Sequence, residues 1–343
     1  MKPDPKTPSQ SKSDLVPDAS SADNLDSSSV HAVMTYPGQA IRFGWTGKVV
    51  KVIQERLNFL GFHSGTVDGD FGPITKGAVS AFQAANHLAV SGIVGPHTWQ
   101  ALFDTSAHVV PMLQRIQAFL KGSQADVSVS VYDANNGQTY DYNPLATFDT
   151  ASIVKVSIMG TLLRQAEVSK TPLSAEEELL MSPMIEYSNN DDATALWNRA
   201  GGGSAVQSFM NEVGMSNTAA NTEGYWGLTQ TSAPDEVSLV KDFAYPNPLL
   251  SYSMRLYGLD LMQNVTSWER WGVSAGVESG STVALKNGWL PIGPDDWVVN
   301  SIGLVKGDGR NYVIAVLTEG SATENDGIAT IQGISNIVWR YME

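Results

Sequence analysis

Residues Thr150 to Met159 read TASIVKVSIM, with one lysine, Lys155, set inside an apolar and β-branched run three residues after Ser152. A helix that begins at Ser152 puts Lys155 on the same face, within reach of the hydroxyl. Ile153, Val154, Val156 and Ile158 surround the lysine, and poor solvation favours the neutral amine, the form able to accept a serine proton. The spacing alone recurs by chance, however, and a lysine snorkelling to water from a buried helix is the plainer account of it. Other parts of the chain decide between the two.

The 343 residues suffice for at least two units, each with its own core. A hydrophobic share of 42% fits ordinary globular protein, and no unbroken apolar run reaches about 18 residues, so no membrane span is expected. A net charge of -14 argues against a nucleic-acid partner, since phosphate neutralisation needs clustered Lys and Arg. With no cysteine there is no disulfide, thiolate nucleophile or Cys-based zinc site, and the redox compartment stays open. All five histidines (His31, His63, His87, His97 and His108) precede Val109. Proton transfer beyond that point must therefore use a carboxylate, a tyrosine or a lysine of lowered pKa.

Residues 1–40 are expected to form a disordered tail and linker. Met1 to about Val30 is rich in Ser, Asp, Pro and Lys without apolar periodicity, and lacks the apolar stretch of a secretory signal. The segment 41–104 differs. GDFGPITKGA (Gly69 to Ala78) recurs as GIVGPHTWQA (Gly92 to Ala101), both Gly, two residues, Gly-Pro, one residue, Thr, two residues, Ala. Each copy predicts a turn opening a helix, with Pro at the first helical positions and Thr positioned to satisfy exposed backbone donors. An earlier helix runs through Val49, Val52, Ile53, Leu57 and Leu60, so the segment reads as a small three-helix bundle. GKVVKVIQERLNFLGF, DGDFGPITKGAVSAFQ and SGIVGPHTWQALF together resemble the three-helix peptidoglycan-binding domain of wall hydrolases, which implies peptidoglycan as a partner.

Residues 109–343 read as one α+β domain. PMLQRIQAFLKG predicts a helix, and VSVSVYDANNGQTYDYN alternates on both sides of an Asn-Gly turn, as a β-hairpin does. A helical stretch from Ser152 to about Trp271 follows. TVALKNGW, WVVNSIGLVKG and NYVIAVLTEG then return to strands, closed by the helix ATIQGISNIVWRYM. Strands at both ends imply that the first and last parts share an antiparallel sheet.

SNN at Ser188 to Asn190 and KNG at Lys286 to Gly288 follow SIVK in order and at suitable separations. The set resembles the penicillin-recognising serine hydrolases, whose motifs are S-x-x-K, S-D-N and K-T-G. The resemblance is to proteins like class A β-lactamases, and it covers residues 109 to 343. It implies that Ser152 is the acylated nucleophile, Lys155 its activating base and Ser188 the proton relay to the leaving nitrogen. Asn190 would hold the substrate's side-chain amide. Lys286 would offer positive potential to a substrate carboxylate, and the backbone N–H groups of Ser152 and Trp289 would form the oxyanion hole. Gly288 would let substrate lie against the strand edge.

Three departures stand out. Asn189 replaces the usual Asp, and Asn287 replaces the Thr that normally helps bind the carboxylate, though an amide still donates hydrogen bonds. A class A β-lactamase also uses a loop Glu to activate the hydrolytic water. Glu223 sits at about the right distance from Ser188 for that role, yet NTAANTEGYWGLTQTSAPDEV lacks the usual Glu-x-x-Leu-Asn, and an ordinary solvated loop carboxylate fits as well.

The implied protein is a cell-wall-associated or extracellular serine hydrolase. Of class A β-lactamase type, it acylates Ser152 with a β-lactam, or a related acyl-D-Ala-D-Ala-like amide, hydrolyses the acyl-enzyme, and needs no metal or cofactor. A stem-peptide D,D-peptidase or esterase, and a slow-turnover lactam sensor, remain the rivals. EEELL (Glu176 to Leu180) predicts a helix start, ENDG (Glu324 to Gly327) an exposed turn, and Trp226, Trp268 and Trp271 either a cleft lining or core.

Overall fold

The computed structural model describes residues 36–103 and 111–342 apart from Gly61, His63 and His87. The expected tail before Tyr36 and the connection at 104–110 lie outside the described residues. Three helices, α1 (Lys48–Phe59), α2 (Pro73–Ala85) and α3 (Pro96–Phe103), form the smaller part. They close over a core that includes Ile53, Leu57, Phe82, Trp99 and Leu102.

The sequence repeat has a physical basis in two buried glutamines. Gln54 of α1 accepts from the Gly69 N–H at 2.9 Å and donates to Asp70 O at 3.1 Å and Thr75 Oγ1 at 3.2 Å. Gln83 of α2 treats the second copy alike, accepting from the Gly92 N–H at 2.9 Å and donating to Ile93 O at 2.9 Å and Thr98 Oγ1 at 3.0 Å. Gly69 and Gly92 have φ of 85° and 66°, a region only glycine enters freely. The repeat threonines therefore differ from the sequence expectation. They face inward as partners of glutamine, and α2 has no side-chain cap at its start.

In the larger part, α4 (Pro111–Phe119) precedes the hairpin β1 (Asp126–Asp133) and β2 (Gln138–Tyr142), joined through the Asn136–Gly137 turn. The antiparallel sheet has the order β2-β1-β7-β6-β5, where β5 is Thr282–Gly293, β6 Asp296–Gly307 and β7 Arg310–Ser321. β1 pairs with β7 from Asp126↔Glu319 to Asp133↔Tyr312, so the two ends of the domain do share one sheet. Alternation along the strands sends Val127, Val129 and Val131 to one face, under α4 and α11 (Glu324–Tyr341). Val313, Ala315 and Leu317 go to the other.

That second face carries the helical block: α5 (Val154–Ser169), α6 (Ala175–Glu186), α7 (Asn190–Ala200), α8 (Gly202–Val213), α9 (Ala233–Ala244) and α10 (Tyr252–Gln263). EEELL does open a helix, because Ser174 and Glu177 form a reciprocal capping box at the start of α6. ENDG is instead the first turn of α11. Thr323 accepts from the Asp326 N–H and starts that helix five residues earlier than apolar spacing suggested.

Candidate active site

A short strand β3 (Phe148–Asp149), paired with β4 (Gln230–Thr231), leads into a 3₁₀ turn Ala151–Ile153 that runs directly into α5. Asn300 of β6 holds this approach by donating to Asp149 O at 2.8 Å and Thr150 O at 3.2 Å. Ala151 has φ 47°, a left-handed conformation that costs a non-glycine residue roughly 1–3 kcal/mol. Ser152 is thereby presented at the mouth of α5. Every residue from Ile153 to Leu163 is buried, Lys155 included.

Lys155 does not snorkel to water; its amine is enclosed by four acceptor atoms. Nζ lies 2.6 Å from Ser188 O, 2.7 Å from Asn190 Oδ1, 3.0 Å from Ser152 Oγ and 3.1 Å from Ser188 Oγ. The two shortest contacts go to oxygens that can only accept, so they fix two N–H bonds of the amine. The lone pair of a neutral lysine is then free to take the Ser152 hydroxyl proton. Burial pushes Lys155 down to about 7, helped by the Lys286 charge and opposed by Glu269 and Asp192.

Ser188 joins this lysine to a second one. Its φ of 54° is again left-handed, and its Oγ accepts from Lys286 Nζ at 2.9 Å. Asn189 caps α7 by accepting from the Asp191 and Asp192 N–H groups, which aims Ser188 and Asn190 inward. Lys286 is fully buried and donates also to Asn287 O at 3.0 Å. Its remaining neighbour is Glu269, at 3.4 Å and 1% exposed, from the 3₁₀ turn Ser267–Glu269. Burial lowers Lys286 to about 8 while Glu269 opposes the shift. Sequence reading missed Glu269, which belongs to no motif and meets Lys286 only through packing.

Gly288 is required by space. A Cβ there would stand 2.6 Å from the Ser152 nitrogen and 2.8 Å from the Ile153 nitrogen, because edge strand β5 lies directly against the serine turn. Trp289 is half-buried with its ring 5.9 Å from that of Trp271. Asn287 departs from its expected place toward substrate. Strand alternation turns it to the opposite face from Lys286, where its amide donates to Glu269 O at 2.7 Å and Trp271 O at 3.2 Å. Both donors are committed to holding the 269–271 segment.

Glu223 is exposed, with its own N–H bonded to Asn221 Oδ1, and is not among the charges that shift Lys155. The structure does not bring it into the lysine–serine cluster. The same loop instead sets the Trp226 ring 5.0 Å from Lys155 Nζ, anchored by an indole N–H to Thr194 Oγ1 at 3.1 Å. Trp268 is exposed and Trp271 half-buried.

A five-stranded sheet covered by helices on both faces, with a serine and two lysines at the mouth of the buried helix, defines a β-lactamase-like α+β fold joined to a helical wall-module fold. The model for the "Beta-lactamase enzyme family" matches residues 111–182 and 170–342, and the chain belongs to that family. Residues 46–102 match the "Putative peptidoglycan binding domain". Among curated relatives, "Putative lipoprotein LppW" of Mycobacterium tuberculosis is 27% identical over 215 residues, covering 60% of this chain and 67% of that protein. The extended-spectrum β-lactamase PER-1 of Pseudomonas aeruginosa is 22% identical over 258 residues, covering 64% and 83%. Among solved structures, a class A β-lactamase from Bacteroides cellulosilyticus aligns with a TM-score of 0.60 at 21% identity, covering 67% of this chain and 96% of that one. PBP-A aligns with a TM-score of 0.59 at 21% identity, covering 68% and 96%. These structural likenesses describe the fold.

Proposed function

We propose that this chain is a peptidoglycan-tethered serine hydrolase of the cell envelope that forms an acyl-enzyme at Ser152. Its acyl donor is a β-lactam or an amide or ester related to acyl-D-Ala-D-Ala. The observation that carries the reading is Lys155 Nζ, 3.0 Å from Ser152 Oγ, with its other protons fixed by two acceptor-only oxygens. A neutral Lys155 takes the hydroxyl proton as the Oγ–carbonyl carbon bond forms. The C–N bond, or the C–O bond of an ester, then breaks, and the proton passes through Ser188 to the leaving nitrogen or oxygen. Backbone N–H groups of Ser152 and Trp289 receive the oxyanion. Asn190 and the β5 edge at Gly288 hold the acyl side, and Lys286 polarises Ser188.

Water must then cleave the ester, and here the loop matters. Glu223 is exposed while the Trp226 ring lies 5.0 Å from the lysine amine, so among the described residues no loop carboxylate bonds to the Ser152–Lys155 pair to activate water. The acyl-enzyme should be long-lived, which favours a peptidase-like or sensor-like role over fast lactam hydrolysis. The helical module raises the local concentration of the catalytic part at its polymer by tethering.

Incubation with a fluorescent penicillin, followed over time by intact mass, tests the reading. A Ser152 adduct that persists for many minutes is expected. Folded protein that forms no adduct with penicillin, nor with peptide or ester donors, overturns it. Co-sedimentation of residues 36–103 with purified cell wall tests the module separately.

A further inference from the structure

We infer that Glu269 is a positioning residue for acylation: it holds Lys286 as the ammonium that donates to Ser188, and so sets the alkaline limit of the reaction. The inference rests on the acyl-transfer reading above. Lys286 is 0% exposed, and an ammonium cut off from water needs a counter-charge to stay protonated. Among the described residues Glu269 is the one carboxylate within ion-pair distance, at 3.4 Å.

The surrounding groups leave no substitute. From α5 comes Lys155, a like charge. From the start of α7 come Ser188 and Asn190, which are neutral, and Asp192, whose charge acts on Lys155. From β5 itself comes only the Asn287 carbonyl. Arg270, next to Glu269, turns away to Gln263 O and Val283 O. Glu269 is in turn fixed by its backbone, whose carbonyl accepts from Asn287 Nδ2 at 2.7 Å. The residue that replaces the familiar threonine thus serves to seat the counter-ion.

The consequence is an ordering of protons. Charged Lys286 has three N–H bonds for its three acceptors, Ser188 Oγ, Glu269 Oε2 and Asn287 O, which leaves the Ser188 hydroxyl proton free to travel to the leaving group. Neutral Lys286 has only two N–H bonds for those acceptors and no charge to polarise Ser188, and acylation falls. Lys155 must lose a proton to act and Lys286 must keep one. The rate should therefore rise as pH passes about 7 and fall as it passes about 8, as macroscopic limbs of the shared cluster.

The test measures the rate of Ser152 adduct formation by fluorescent penicillin on the full chain from pH 5.5 to 9.5, for wild type, Glu269→Gln and Glu269→Asp. Glu269→Gln should move the alkaline limb down by about one pH unit, an about fivefold loss at pH 8 that approaches tenfold above pH 9, while the ascending limb moves much less. Glu269→Asp should shift the limb in the same direction by a smaller amount, and it carries the test if the glutamine variant does not fold. Rates lowered by one factor at every pH, or an unmoved limb, overturn the inference and leave the acyl-enzyme intact. Absence of any wild-type adduct at Ser152 overturns the acyl-transfer reading and this inference with it.

Discussion

Both parts of the molecule bury polar side chains, and they do so to opposite effect. In the three-helix part, Gln54 and Gln83 are neutral, and each has its oxygen and nitrogen matched to a fixed turn. In the larger part, Lys155 and Lys286 are buried titratable amines that share one serine hydroxyl. A neutral group with every bond made adds rigidity. A buried lysine has a lowered pKa because loss of water disfavours its ammonium form, and that is what chemistry at neutral pH requires.

The contrast breaks most sharply at the serine. Ser152→Ala should abolish adduct formation, and Lys155→Met should slow it by about 10³-fold with little change in thermal stability, since methionine suits the apolar surroundings. Stopped-flow and intact mass read both; a Lys155→Met protein as fast as wild type would remove lysine from the mechanism. Gly288→Ala comes next, with roughly 10²-fold slower acylation, because the new methyl displaces the serine turn. In the module, Gln83→Ala should cost about 2–4 kcal/mol of stability in chemical denaturation, with acylation unchanged, since several buried partners lose their bonds at once.

The smallest effect concerns a buried acid away from the cluster. Glu236 of α9 is 0% exposed and burial pushes it up to about 8, against about 4.5 in an unfolded chain. The folded state thus holds the extra proton, so stability declines as pH rises between those values and levels off above them. Glu236→Gln should flatten the dependence of melting temperature on pH across this window and raise it by a few degrees at pH 8. A slope that survives the substitution would assign it to other groups.

Local signals carried most of the fold and part of the site. The Asn136–Gly137 turn announced its hairpin, the doubled Gly-Pro pattern announced two helix starts, and three short motifs aligned serines and lysines that the fold then gathered. What escaped was decided across distance. Nothing near Glu269 in sequence marks it, since its burial comes from meeting Lys286 on a strand seventeen positions later. Asn287 looked like a substrate donor because its motif position suggested so, and the pleat of β5 sent it the other way. The sequence left Trp226 between cleft lining and core, because its place near the lysine depends on Thr194 of α7. The repeat threonines read as caps because a rule about helix starts cannot see a glutamine one helix away.

The pairing of β1 with β7 has a temporal side. During synthesis, Val129 leaves the ribosome long before Val316, the residue it must lie beside. The larger unit cannot complete its sheet until almost its last residues emerge, whereas the glutamine-bolted bundle can mature while the rest is still being made. A truncation that removes β7 should leave a native bundle trailing an unsettled remainder.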